Sequence, residues 1–426
     1  MAVGQYLYDE SGRRYLDCIS NVQHVGHCHP GVASAVARQM RESTCNNRFL
    51  HPSLTRTAKK LLATLPKAMD RLYMCNSGSE ANDLAMRIAG DATQGTEVIV
   101  LDHAYHGHLL STLALSPYKF NGRGGKGCPE HTHIAPCPDV YRGKHRLPAS
   151  QRRDAKSLEE AGQKYAAEVA DIIASIQQEG KKLKAFIMEG LISCGGQVIP
   201  PPGYLSEVIR LVHEAGGVVV VDEIQSGFGR VGSCFWAFQL QGYEVVPDLV
   251  TMGKPMGNGF PVAAVAVKSS VCASFGGGMQ YFNTFGGNPV SCTAVEAVLE
   301  ALERGAFIPA AEIKGQRLLH GFRQLQQLYP NVVGDVRGVG LFAGLELVQK
   351  EERGVKREMS DDWVGQPNAE LAEEVILRLR REQGILLSAE GPHGNVLKFK
   401  PPMCFSHEDI DALLLALNQV LSTQAS

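Results

Sequence analysis

Between residues 72 and 267 the chain alternates short apolar or β-branched runs with longer stretches of helical period. The runs are Leu72–Cys75, Val98–Leu101, His133–Ala135, Ala185–Met188, Val218–Val221, Leu249–Met252 and Val262–Val267. Runs of this length and composition read as strands. The stretches Ser79–Ala92, Leu158–Glu179 and Tyr204–Ala215, which lie between them, read as helices. A strand cannot pair in parallel with the next one without a crossover, and a helix is the usual crossover. The order therefore predicts an α/β domain, a mostly parallel sheet with helices on both faces. Ligands of such sheets sit beyond the carboxyl ends of the strands, which directs attention to the residues just after each run.

A helical segment at Pro289–Arg304 leads out of this region into a smaller α+β unit. That unit has an amphipathic stretch near Glu312–Leu328, an apolar Gly338–Leu347 region and a polar loop at Lys350–Gln366. At about 100–200 residues per domain, 426 residues make two to three domains. The expected division is 1–44 as an N-terminal segment joining the small domain, 45–298 as the large domain and 299–426 as the small one. With 42 Lys and Arg against 44 Asp and Glu, and no dense basic block, nothing points to nucleic acid or an anionic membrane. No apolar run approaches the ~18–20 residues of a membrane span. The 11 cysteines lack a paired C-x-x-C, and no secretory or transit segment is visible in this chain. A soluble intracellular protein, mitochondrial or cytoplasmic, is expected.

Three strand ends carry unusual chemistry. Asn76-Ser77-Gly78-Ser79-Glu80-Ala81-Asn82 follows a strand and opens a helix, where small residues and free N–H groups suit a phosphate. The same residues also suit a plain serine N-cap with an acid in the first turn. Val218–Val221 ends in Asp222, a carboxylate that needs a partner beside the core. A positive group should therefore face Asp222, with capping of a helix or pairing with nearby Arg230 as the plainer account of the acid taken alone. Leu249–Met252 feeds Lys254, which stands among Gly253, Pro255, Gly257 and Gly259. A lysine beside the core, with room made for a close ligand, suits a Schiff-base amine. A pyridine aldehyde phosphate needs all three features: a phosphate anchor, an amine, and an acid that keeps the ring nitrogen protonated.

The residues Asn76–Asn82, Asp102-His103-Ala104-Tyr105-His106-Gly107-His108, Val221–Arg230 and Thr251-Met252-Gly253-Lys254 strongly resemble the class III, ornithine-aminotransferase-like family of pyridoxal phosphate enzymes. The likeness runs in order across nearly the whole chain. It implies fold type I, with a mostly parallel seven-stranded sheet in the large domain, and pyridoxal 5′-phosphate as cofactor. Lys254 looks like the Schiff-base lysine, Asp222 the partner of the pyridine nitrogen, Gln225 the contact to the ring hydroxyl and Tyr105 the lid on the ring, with His106 beside it. Gly78 and Ser79 would hold the phosphate by their backbone, and Thr284 would complete that site from a second subunit. A homodimer is thus implied, with a tetramer as the larger alternative.

Within the family the chain looks most similar to animal phospho-lyases acting on ethanolamine phosphate and 5-phosphohydroxy-L-lysine. The stretches that carry this are His24–Pro30, Leu101–His108, Ser116–Phe120, Pro138–Gly143 and Lys398–Phe405. Related aminotransferases commonly place a carboxylate-gripping arginine three residues before the Pro401-Pro402 pair, and here Lys398 stands there. The likeness implies β-elimination of phosphate from a small phosphorylated amine. Ethanolamine phosphate is the first expectation, and 5-phosphohydroxy-L-lysine elimination or an ω-aminotransferase reaction are the alternatives. Lys398 and Arg337 are the candidate cations on the substrate side. Departures from the phospho-lyase pattern are Phe260 in place of histidine, Asn47 and Pro52, and a start inside the usual N-terminal region. A catalytically silent homologue is the alternative from another class that the N-terminal start and Phe260 raise.

His24, His27, Cys28 and His29, and likewise His103, His106 and His108, lack the spacing of a structural zinc site, so no metal is expected. Cys75 reads as a small core residue and Glu189 as a strand-end acid near the site.

Overall fold

The computed structural model describes residues 1–45, 49–275, 279–349 and 364–425. Residues 350–363 of the polar loop, and Asn47, lie outside them.

All seven expected strands form and join one sheet, in the order Met69–Cys75, Ala263–Lys268, Leu249–Met252, Val218–Asp222, Leu183–Glu189, Glu97–Leu101, Thr132–Ala135. Ala263–Lys268 runs antiparallel to both neighbours, and the others run in one direction. The fold is thus the fold type I α/β arrangement, with further small sheets. Side chains alternate between the two faces. Ile99, Leu101, Phe186, Met188, Val219, Val221 and Val250 pack into one core. Val98, Val100, Ala185, Ile187, Val218, Val220 and Leu249 pack into the other. Because helices cover both faces, the central strands are apolar at most positions on both faces, and each large side chain buried is worth about 1.5–3 kcal/mol.

Several helices around the sheet begin on polar side-chain caps. Ser77 Oγ accepts from the Glu80 N–H at 3.2 Å to open Gly78–Thr93, and Glu80 Oε2 accepts from the Asn76 N–H at 2.8 Å. The cap reading of this segment therefore holds, and it is compatible with an exposed first turn above it. Pro289–Arg304 starts with proline after Asn288, whose Oδ1 accepts from the Ser291 N–H at 2.9 Å.

Beyond it, Phe307–Leu328 packs on an antiparallel sheet of Val333–Val339, Phe342–Leu347, Val396–Phe399 and Ser388–Glu390. The N-terminal strands Ala2–Val3, Tyr6–Tyr8 and Arg14–Asp17 share a third sheet with Ile385–Leu386 from the far end of the chain. Gln5 Nε2 and Tyr6 Oη each donate to Asp409, at 2.6 and 2.5 Å, and fix that end on the terminal helix His407–Ala425. Among the described residues no helix is long and apolar enough to cross a membrane.

Candidate active site

Parallel strands bring their carboxyl ends to one edge, and there a cavity of 270 Å³ opens. It is lined by Gly78, Ser79, Tyr105, His106, Gln225 and Lys254, with Asp222 at its floor. Seven residues singled out from the sequence thus meet in one place.

Asp222 is the last residue of its strand and is 3% exposed. Its Oδ2 accepts from Asn82 Nδ2 at 2.7 Å and lies 2.9 Å from His106 Nδ1, and its Oδ1 accepts from the Ile224 N–H at 3.0 Å. Thr251 Oγ1 donates to Asn82 Oδ1 at 2.7 Å, which turns the amide nitrogen of Asn82 toward the carboxylate. Pairing with Arg230 does not occur. That guanidinium is fully buried elsewhere, donating to the carbonyls of Pro401 at 2.8 Å and Leu341 at 3.2 Å. The carboxylate is satisfied by directed N–H donors, which costs less desolvation than burying a second charge.

The helix opening at Ser77–Ser79 forms one wall. Its first-turn N–H groups have no intrahelical acceptors and carry the positive end of the helix dipole. Gly107 packs against this turn at φ +136, where an added Cβ would lie 2.6 Å from Ser79 Oγ and 2.7 Å from Thr112 Oγ1. The close approach of these two backbones leaves a concave cradle.

Lys254 begins a short 3₁₀ turn, Lys254–Gly257, directly after Leu249–Met252. Asn258 follows at φ 48 and clamps the turn to the N-terminal region. Its Oδ1 accepts from the Val25 N–H and its Nδ2 donates to the Gly26 carbonyl, both at 2.9 Å. The His24–Pro30 stretch therefore buttresses the lysine turn. His24 lies 2.7 Å from the Phe228 carbonyl oxygen, and His27 lies 2.7 Å from Asp17 Oδ2.

Other expected residues lie outside the cavity lining. Thr284 is exposed on the segment that precedes Pro289–Arg304. Arg337 is held by Asp335 Oδ2 at 2.7 Å, Glu346 Oε2 at 2.8 Å and the Gly196 carbonyl at 2.7 Å. Lys398 pairs with Glu390. Both cations are thus already neutralised within this chain.

Lys400, two residues along the same strand direction, is the cation that sequence reasoning passed over. It is 1% exposed and donates to Gln225 Oε1 at 2.6 Å and Ser193 Oγ at 2.7 Å. Burial, with Lys398 adding to it, lowers its pKa to about 7. Its place next to Pro401-Pro402 was the only signal available. Glu189 also lines the cavity, and Gln225 Nε2 donates to its Oε1 at 3.4 Å. Burial, then the nearby Asp222 charge, raises the Glu189 pKa to about 8. The same effect of burial pushes the Cys75 thiol up to about 12, so it is no ready nucleophile.

An amine, a strand-end acid and a helix opening around one cavity match the parts of a single known cofactor. The aminotransferase class III family model matches residues 1–421. The chain belongs to the class III aminotransferase family. Enzymes of this family are pyridoxal phosphate-dependent, and the residues fit the group. The buried acid Asp222 and Lys254 line the same cavity, His106 Nε2 and Glu189 Oε2 are buried without a partner among the described residues, and the cradle at Ser79 and Gly107 has backbone on both sides.

Relatives narrow the comparison. The chain is 47% identical over 418 residues to ethanolamine-phosphate phospho-lyase homolog 1 of Caenorhabditis elegans, covering 98% of this chain and 87% of that protein. It is 46% identical over 420 residues to the alanine–glyoxylate aminotransferase 2-like protein of Drosophila melanogaster, covering 98% and 81%. The solved structure of a phospholyase from Arthrobacter in complex with phosphoethanolamine superposes with a TM-score of 0.89 at 36% identity, covering 99% of this chain and 93% of that one.

Proposed function

We propose that this enzyme is a phospho-lyase that eliminates phosphate from ethanolamine phosphate to give acetaldehyde, ammonia and phosphate. The observation that carries this reading is the meeting of Lys254, Asp222 and the Gly78–Ser79 helix opening in one cavity, in a chain 47% identical to a relative named for that reaction. When bound, pyridoxal phosphate supplies an aldehyde that captures a primary amine and a ring that accepts an electron pair from the adjacent carbon.

Lys254 would hold the aldehyde through its Nζ, and the same Nζ, when free, is the base that would take the proton from the amine-bearing carbon. Asp222, oriented by Asn82 and His106, would hold the ring nitrogen protonated. Gln225 would meet the ring hydroxyl, Tyr105 would cover the ring, and the N–H groups of Gly78 and Ser79 would hold the cofactor phosphate. Loss of the proton breaks the C–O bond to the substrate phosphate, which leaves with the bonding pair. Water then converts the two-carbon fragment to acetaldehyde and ammonia. Glu189, neutral below about pH 8, puts no second negative charge on the cavity wall against an incoming phosphate.

In this reading Thr284 of a second copy closes the phosphate site, so the active unit is a homodimer. Residues 1–44 join the small domain, 45–298 form the large domain and 299–426 the small one. Arg337 and Lys398 remain the substrate-side cations only if substrate draws them from Asp335, Glu346 and Glu390.

The Drosophila relative's name supports a second reading, amino transfer to a keto acid. Purified holoenzyme is incubated separately with ethanolamine phosphate and 5-phosphohydroxy-L-lysine, without any keto acid, and phosphate and ammonia are measured. Equal release of both products from ethanolamine phosphate is expected. Release from phosphohydroxylysine alone moves the substrate assignment, and amino transfer to glyoxylate or pyruvate without phosphate release overturns the lyase reading.

A further inference from the structure

A second cavity, of 550 Å³, lies between the large-domain segments 139–158 and 198–202 and the C-terminal part around Arg323. It shares no lining residue with the Lys254 cavity. Its walls carry Arg152, Arg153, Arg323 and Arg337 against Asp139 and Asp335, an excess of two positive charges.

The charges are not idle in the same way. Arg337 is fully engaged with Asp335 and Glu346. Among the described residues, Arg152, Arg153 and Arg323 form no ion pair. Three hydrogen-bonding groups at this cavity are buried and lack any partner: Arg152 Nη2, Arg323 Nε and the hydroxyl of Tyr141. Tyr141 is 2% exposed, and its ring lies under the Arg152 guanidinium at 4.7 Å. Buried donors are ordinarily satisfied, so three orphans on one cavity point to an acceptor that binds there. Burial, and then the like charge of Arg153, lowers the Arg323 pKa, a strain that an anion would relieve.

We propose that this cavity is a binding site for the phosphate group of a small anion, separate from the Lys254 cavity. Tyr141 and Arg152 reach the cavity from the segment before the helix Ala155–Gln178, and Arg323 from within Phe307–Leu328. A tetrahedral oxyanion presents three terminal oxygens to donors from more than one side, and guanidinium groups match those oxygens well. A planar carboxylate offers fewer acceptors. Because the donors belong to both halves of the chain, a bound anion would tie the C-terminal part to the large domain.

Phosphate binding to the wild-type holoenzyme is followed by equilibrium dialysis with inorganic phosphate and, in a second arm, glycerol phosphate. Ionic strength is held constant with sodium chloride. One phosphate group per chain is expected to lose about tenfold or more in affinity in the Arg152→Gln, Arg323→Gln double variant. Tyr141→Phe, which keeps the ring, is expected to lose severalfold. Tighter binding of glycerol phosphate than of inorganic phosphate identifies a phosphomonoester as the ligand class, and the reverse identifies free phosphate. Binding curves that superimpose for the wild type and both variants overturn the proposal, as does uptake that chloride alone abolishes. If the double variant does not fold, Tyr141→Phe decides. Because turnover is not read, the outcome is independent of which reaction the Lys254 site performs.

Discussion

Lys400 Nζ stands 2.6 Å from Gln225 Oε1, so a fully buried ammonium near the chain's end fixes the amide that lines the candidate cofactor cavity. With Oε1 committed to Lys400, and to Asn21 Nδ2 at 3.3 Å, the amide nitrogen of Gln225 faces Glu189 and the cavity. Replacing Lys400 by Met keeps the volume but leaves Gln225 and Ser193 without their donor. A loss of about 1–3 kcal/mol of stability is expected, with most of it recovered in Lys400→Gln. Chemical denaturation of the two variants checks this, and an unchanged Lys400→Met would show that the bond is not needed for stability.

Lys254→Ala is expected to stop phosphate release by at least about a thousandfold while leaving the fold intact. The visible absorbance of bound cofactor should vanish or shift with it. Turnover that survives the substitution removes Lys254 from the reaction.

Asp222→Asn keeps the shape of the side chain and loses its charge. Asn82 and His106 would still face an oxygen, but the acceptor for a protonated ring nitrogen would be gone. The expected fall in kcat is about a hundredfold or more, with circular dichroism unchanged. Comparable kcat in the variant would separate Asp222 from the cofactor ring.

Gly107→Ala tests the cradle. The residue sits at φ +136, and its new Cβ would meet Ser79 Oγ and Thr112 Oγ1 inside 2.8 Å. A cost of about 1–3 kcal/mol in stability is expected, together with weaker retention of pyridoxal phosphate on dialysis. Cofactor retention equal to wild type would show that the helix opening does not hold the phosphate.

Glu189 sets a pH dependence. Its folded pKa of about 8 lies above the ordinary 4.5, so the folded state holds a proton the unfolded state has lost. Its contribution to stability is therefore present below the ordinary value and fades as pH rises through about 8. Over the same range its new charge should raise KM for a phosphorylated amine. Glu189→Gln is expected to flatten both trends, and a KM profile identical to wild type would rule out this residue as their source.

Much of this protein could be read before any coordinates. The strand runs, the serine cap before Gly78–Thr93 and the strand ends at Asp222 and Lys254 depend on local periodicity and backbone sterics, which act over a few residues. Parallel strand order then placed those ends on one edge. The partners of each charge did not follow from the chain order. Asp222 meets Asn82, 140 residues earlier, and Arg230 meets Pro401, 171 residues later. Arg337 and Lys398 could be named as cations, but Glu346, Asp335 and Glu390 neutralise them only in the folded chain. Lys400 gained its role because the last strand of the C-terminal sheet ends beside Ser193 and Gln225. Sequence alone determined the sheet and which chemical groups reach its edge. Tertiary structure decided which of those groups are free to act, because burial and long-range hydrogen bonds set the charge, direction and availability of each.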